Sequence, residues 1–196
     1  MTQENRSKPT ETRGRGFALK TVFLLFGFLT AATYCFSQEA TSEKTKVPHF
    51  TLKDSEGNTF SSEVLEGKIV VLDFWATWCA PCLRAIPELK KAEAKFAEDK
   101  EVVFLFVNTL EPKNRDMELI KDFLIKKKID LYFLMDIKNS EDSERTLTDN
   151  LNISGLPTTI VMDSAGYIAF RSSGFAGNSD AILEKLEPII ASLKLK

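Results

Sequence analysis

The rhythm of apolar and polar positions changes several times along the chain, and each change marks an element. Residues 50–52 and 59–61 alternate on either side of Asp54-Ser55-Glu56-Gly57-Asn58, which predicts a hairpin closed by a glycine turn. Residues 69–75, Ile-Val-Val-Leu-Asp-Phe-Trp, are an apolar, β-branched run that predicts a buried strand, interrupted only by Asp73. A helix is expected from the turn after Trp78 to about Glu98, with Leu89, Ala92 and Phe96 on one face. Pro87 falls inside it and predicts a kink, because its ring removes a backbone hydrogen bond. Residues 102–107 form a second continuously apolar strand, as in a parallel sheet.

Met117, Ile120, Phe123 and Leu124 then recur at helical spacing, and Lys126-Lys127-Lys128 reads as the solvated end of that helix, where cations suit the dipole. Residues 131–135 predict a short third strand and 143–151 a short polar helix. A hairpin over 158–170 turns at Ser164-Ala165-Gly166, and a closing amphipathic helix covers 181–195. The order is a β-hairpin, then βαβαβα, then ββα. Parallel strands need helical crossovers, so the class is α/β with a mixed sheet.

The N-terminus has a different pattern. Residues 1–20 are polar and basic, with Arg6, Lys8, Arg13, Arg15 and Lys20 against Glu4 and Glu11. Residues 21–36 carry no charge. This is the arrangement of an export signal, and the run is short of the roughly 20 residues of a membrane span. Cutting after Ser37 would place Cys35 and Ser37 at the small-residue positions; without a cut the segment is an anchor. Tyr34 before Cys35 argues against a lipoprotein signal, and Arg13-Gly14-Arg15 is not a contiguous twin-arginine pair. The expected organisation is a signal peptide or membrane anchor over 1–37, a polar linker over 38–46 and a folded domain over 47–196. The domain is then exported and periplasmic, either soluble or held to the inner membrane.

Composition narrows the chemistry. Hydrophobic residues are 43% of 196, ordinary for a globular protein, and a net charge of −2 gives no reason to expect nucleic acid as a partner. Three cysteines are too few for a disulfide scaffold, and with one histidine, His49, they cannot supply the usual four ligands of a structural zinc site. No metal and no cofactor is expected, and His49 reads as a structural residue near the start of the domain.

Two cysteines stand as Cys79-Ala80-Pro81-Cys82, directly after the central strand. Pro81 fits the first turn of a helix, where a missing N–H costs nothing. That spacing lets a small disulfide ring close. At the helix N-cap the Cys79 sulfur would meet free N–H groups and the positive dipole end, which favour the nucleophilic thiolate. Cys79 is the expected attacking residue and Cys82 the resolving one, with Trp75 and Trp78 limiting water around them. Ala80 and Pro81 carry neither charge nor donor side chain, which points toward a reducing pair. Asp73, a carboxylate in a buried strand, is a candidate to exchange the Cys82 proton.

Pro157 opens the strand at 158, where it cannot donate to the ladder. A cis Leu156–Pro157 bond would explain it and expose a backbone edge to a substrate peptide. Trp78, Pro81, Leu156 and Pro157 are the expected substrate-facing residues.

Asp73-Phe74-Trp75-Ala76-Thr77-Trp78-Cys79-Ala80-Pro81-Cys82 with Pro87 resembles the active-site strand and helix of thioredoxins. The preceding hairpin, the extra strand–helix segment, Gly155-Leu156-Pro157-Thr158-Thr159 and Asp163-Ser164-Ala165-Gly166 resemble the TlpA/ResA branch, exported and often membrane-anchored thiol-disulfide reductases. The resemblance runs from about Val47 to the C-terminus. It implies a thioredoxin-like fold, a mixed central sheet flanked by helices with an N-terminal β-hairpin and a strand–helix insertion, and Pro157 facing the cysteines. It also implies protein thiol and disulfide partners, among them the haem-attachment cysteines of apocytochrome c, and a membrane-side thiol donor of electrons. A monomer is expected.

Two departures from that branch bear on the proton. Many relatives have asparagine at the Asp73 position and a carboxylate after the second strand, which Glu111 would supply here; Asp73 and Glu111 are both candidates. Ala85 stands where relatives often carry glutamate. Two further readings share the fold. A peroxiredoxin-type peroxidase wants a threonine three residues before its cysteine, whereas Thr77 is two before Cys79. A copper chaperone wants C-x-x-x-C and a late histidine, whereas His49 precedes the core.

Overall fold

The structure, a computed structural model, describes residues 45–136, 146–175 and 180–195. The chain divides into two units, Met1–Ser42 and Glu43–Lys196, and every described residue belongs to the second. The expected export segment 1–37, and the linker apart from Thr45 and Lys46, lie outside the described residues.

Strands β1 (Thr51–Asp54) and β2 (Thr59–Ser61) form the expected hairpin. Gly57 takes φ +89 in its turn, a conformation that favours glycine. A short 3-10 turn over Ser62–Leu65 leads to β3 (Ile69–Trp75), whose seven residues are all buried. Helix α1 (Ala80–Lys95) follows, then β4 (Val102–Thr109), α2 (Met117–Lys127), β5 (Leu134–Asp136), α3 (Leu147–Asn150), β6 (Thr158–Met162), β7 (Ile168–Ser173) and α4 (Asp180–Lys194). One sheet runs β2-β1-β5-β4-β3-β6-β7. β3 pairs in parallel with β4 and antiparallel with β6, and β4 pairs in parallel with β5, so the sheet is mixed as expected.

Side chains alternate across β3 into two cores. Ile69, Val71 and Trp75 meet Ile86 and Leu89 of α1, Ile120 of α2 and Leu186 and Ile190 of α4. Val70, Leu72 and Phe74 meet Leu65, Leu147 and Leu151 on the other face. A strand covered on both faces can be apolar throughout, which is why its sequence lacks polar alternation. Each fully buried Leu or Phe there stabilises the fold by roughly 1.5–3 kcal/mol.

Two elements are shorter than the pattern implies. α1 is continuous across the exposed Pro87 but ends at Lys95, capped at Phe96, not near Glu98. β5 begins at Leu134, not 131, because only residues 134–136 find partners on β4 or β1. Residues 131–133 still look strand-like, with Leu131 and Phe133 buried, while the Tyr132 hydroxyl reaches out to Asp54 at 3.1 Å. Of the polar helix expected over 143–151, residues 143–145 lie outside the described residues.

Candidate active site

Three loops converge at one end of the sheet. β3 and β4 are parallel with Trp75 opposite Asn108, so residues 76–79 and 110–111 leave the same edge. β6 runs the other way with Thr158 opposite Phe74, which brings Pro157 to that edge as well.

The cysteine turn is built by short-range bonds. The Cys79 N–H donates to the Ala76 carbonyl at 3.1 Å, and Cys79 then caps α1 with extended backbone angles. Its Sγ accepts from the Cys82 N–H at 3.2 Å. Pro81 lies in the first turn, and Cys79 and Cys82 are joined as a disulfide with Cα atoms 5.3 Å apart. Both are covered, at 3% and 0% exposure. The two tryptophans differ. Trp75 is wholly buried, edge-on to Phe133 at 5.8 Å, whereas Trp78 is 57% exposed and its Nε1–H donates to the Leu110 carbonyl at 2.9 Å.

The Leu156–Pro157 peptide is cis. Pro157 is buried and its carbonyl accepts from the Gly174 N–H at 2.8 Å, while the Thr158 hydroxyl ties back to the Gly155 carbonyl at 2.8 Å. Pro157 shares a cleft of about 60 Å³ with Asp73, Ala85, Thr159 and Phe170. Ala85 lies one helical turn beyond Cys82, on the same helix that carries the cysteine pair, and neither cysteine lines the cleft itself.

Asp73 faces that cleft nearly bare. Its Oδ1 accepts from the Thr159 hydroxyl at 2.9 Å, and its Oδ2 is buried with no partner among the described residues. Desolvation pushes its pKa from the ordinary 3.8 up to about 7, against a smaller lowering by the Thr159 hydrogen bond. The other charged residue lining the cleft is Lys185, which is exposed.

Glu111, the second candidate acid, is equally buried, with a side chain 1% exposed, but it is surrounded by donors. Oε1 accepts from the Thr77 N–H at 2.6 Å and from Asn108 Nδ2 at 2.9 Å. Oε2 accepts from the Thr77 hydroxyl at 2.8 Å and lies 3.6 Å from Arg115 Nε. Thr77, Asn108, Arg115 and Thr159 did not stand out as functional in the sequence. A polar residue at the end of an apolar strand, such as Asn108, was the available signal. Among the described residues no group of three His, Cys, Asp or Glu side chains could hold a metal ion, and His49 is exposed.

Comparison with known proteins gives the family and the fold. A model of the AhpC/TSA family matches residues 44–171. The thiol-disulfide oxidoreductase ResA of Geobacillus thermodenitrificans is 30% identical over 177 residues, covering 87% of this chain and 94% of that protein. ResA of Bacillus subtilis is 29% identical over 131 residues, covering 67% of each. Among solved structures, a thiol:disulfide interchange protein DsbE from Chlorobium tepidum superposes with a TM-score of 0.61 at 23% identity, over 75% of this chain and 96% of that one, and shows the same thioredoxin-like fold.

Proposed function

The chain belongs to the AhpC/TSA family and is a thiol-disulfide oxidoreductase, and from that premise we propose that it reduces protein disulfides. The observation that carries the reading is the Cys79–Cys82 pair at the cap of α1, at the end of the sheet where the cis Leu156–Pro157 peptide also lies, with the buried Asp73 on the strand that leads to it. In the dithiol form the Cys79 thiolate attacks one sulfur of a substrate disulfide. An S–S bond forms between Cys79 and the substrate, and the other substrate sulfur leaves as a thiolate. Asp73 takes the Cys82 proton. The Cys82 thiolate then attacks Cys79 Sγ, and the substrate departs with its second sulfur as a thiolate. Two electrons have passed to the substrate, and the protein holds the Cys79–Cys82 disulfide until a thiol donor on the membrane side reduces it.

Trp78, Pro81, Leu156 and Pro157 form the face that meets the substrate chain in this reading. The exposed indole of Trp78 suits a peptide laid beside the sulfurs. The direction follows from Ala80 and Pro81, which add no charge or donor to stabilise the thiolate beyond the helix cap itself. The substrate class is protein disulfides in an exported compartment, and the paired haem-attachment cysteines of apocytochrome c, in their disulfide form, are the substrate that the TlpA/ResA resemblance supports. Export rests on the basic N-terminus and the uncharged run 21–36. Among the described residues no helix is long and apolar enough to cross a membrane.

The test is turnover of insulin disulfides by the dithiothreitol-reduced full chain. Wild type is expected to catalyse the reduction and Cys79→Ser to be inactive; full turnover by Cys79→Ser contradicts the assignment. A Cys82→Ser variant is expected to accumulate mixed disulfides with its partners, because the resolving thiol is gone. Nothing in the site favours a peroxidase, since the Thr77 hydroxyl is engaged by Glu111.

A further inference from the structure

We propose that Glu111 is a positioning residue: it locks the cysteine turn to the end of β4 and keeps Cys79 at the cap of α1 when the disulfide opens. The inference rests on the reductase reading above and assigns Glu111 a task other than moving the proton.

Two consecutive residues on one side grip two consecutive residues on the other. Glu111 binds Thr77 through both the backbone N–H and the hydroxyl, at 2.6 and 2.8 Å. Its neighbour Leu110 binds Trp78, carbonyl to indole, at 2.9 Å. Cys79 is the next residue along. Leu110 holds φ +55, a left-handed conformation that leucine rarely adopts, and its carbonyl meets the indole from there. No sulfur takes part in these bonds, so reduction of the disulfide leaves them intact. With residues 77 and 78 fixed, the freed Cys79 Sγ remains beside the Cys82 N–H and the first turn of α1, the setting that favours its thiolate.

The same contacts leave Glu111 unsuited to proton transfer. Both oxygens are occupied, by Thr77 and Asn108 on one side and by Thr77 and Arg115 on the other. A proton arriving on either would displace a donor from a buried site and leave it unpaired, which is costly. Asp73 has the opposite surroundings, with one oxygen free of partners among the described residues.

Glutamine separates the two roles. In Glu111→Gln the amide oxygen can keep the Thr77 N–H and Asn108 bonds, and the amide N–H can donate to the Thr77 hydroxyl, but the side chain cannot accept a proton from a thiol. The test measures kcat/KM for insulin reduction and the pH midpoint of iodoacetamide alkylation of Cys79 in reduced full-length protein. Glu111→Ala is expected to lose about tenfold or more in kcat/KM and to raise the alkylation midpoint, whereas Glu111→Gln stays within about threefold of wild type with its midpoint unmoved. If Glu111→Gln falls as far as Glu111→Ala, the positioning role is overturned in favour of proton transfer. If Glu111→Ala keeps both readouts, it is overturned outright. Should Glu111→Ala fail to fold, Thr77→Val decides, since it removes only the hydroxyl contact. A loss of about twofold or more with a raised midpoint supports the proposal, and no change overturns it. Inactivity of wild type itself would instead remove the reductase reading.

Discussion

Asp73 and Glu111 are both buried carboxylates at the active-site end of the sheet, on adjacent strands or just past them, yet their surroundings are opposite. Among the described residues Asp73, mid-strand, has one hydroxyl donor and one bare oxygen, and burial pushes its pKa to about 7. Glu111 sits in the loop after β4 with donors on both oxygens and a guanidinium beside one. A carboxylate with unmet hydrogen-bonding capacity near neutral pKa can give and take a proton. A saturated one is a clamp. Burial alone does not separate the roles; the count of donors does.

Removing the proton carrier should have the largest effect. Asp73→Asn is expected to lower turnover by about 100-fold, the usual size of a lost general base, and to flatten the fall of activity below neutrality. A stability effect of opposite sign accompanies it. Below pH 3.8 Asp73 is protonated in folded and unfolded chains alike and costs nothing. As pH rises from 3.8 to about 7 the unfolded chain ionises first, so folding stability falls, and above about 7 the loss is constant. That gap corresponds to about 4 kcal/mol. Urea unfolding of the oxidised proteins should therefore find Asp73→Asn more stable than wild type at pH 8 and the two converging near pH 4. A wild type that gains stability between pH 4 and 7 relative to Asp73→Asn would contradict the burial argument.

Breaking the clamp comes next. Besides its effect on turnover, Glu111→Ala should destabilise the oxidised protein by about 2–3 kcal/mol, because the buried Thr77 N–H and Asn108 amide lose their acceptor. Equal unfolding midpoints for the two proteins would argue against it. A smaller effect is expected from Thr159→Val, which removes the Thr159 hydroxyl bond to Asp73. That hydrogen bond lowers the Asp73 pKa, so its loss should move the acid limb of the pH–rate profile to higher pH, and a shift to lower pH would contradict the assignment. Arg115→Met should do least. Its guanidinium is 3.6 Å from Glu111 and 35% exposed, and such pairs are worth about 1 kcal/mol or less. A loss comparable to that of Glu111→Ala would mean that charge, not hydrogen bonding, holds the loop.

Much of this site can be read from local sequence. Cys79 and Cys82 announce a capped helix because Pro81 lies between them, and Pro157 announces an unusual bond because it opens a buried strand. Asp73 stands out against its apolar neighbours. Glu111 could be nominated but not assigned a role. Its partner Thr77 is 34 residues away, and the register of β3 against β4 that joins them is a tertiary fact. The early end of β5 has the same origin. Alternating burial at 131–133 looks like a strand in sequence, but a strand also needs a partner, and β1 offers one only at Lys53 and Asp54.

The division of labour between the two acids is tested most directly by the pH dependence of turnover in Asp73→Asn and Glu111→Gln, measured side by side with wild type. The expected result is that wild type and Glu111→Gln share a limb that falls as pH drops through about 7, and that Asp73→Asn lacks it. A limb that survives in Asp73→Asn and disappears in Glu111→Gln would reverse the assignment.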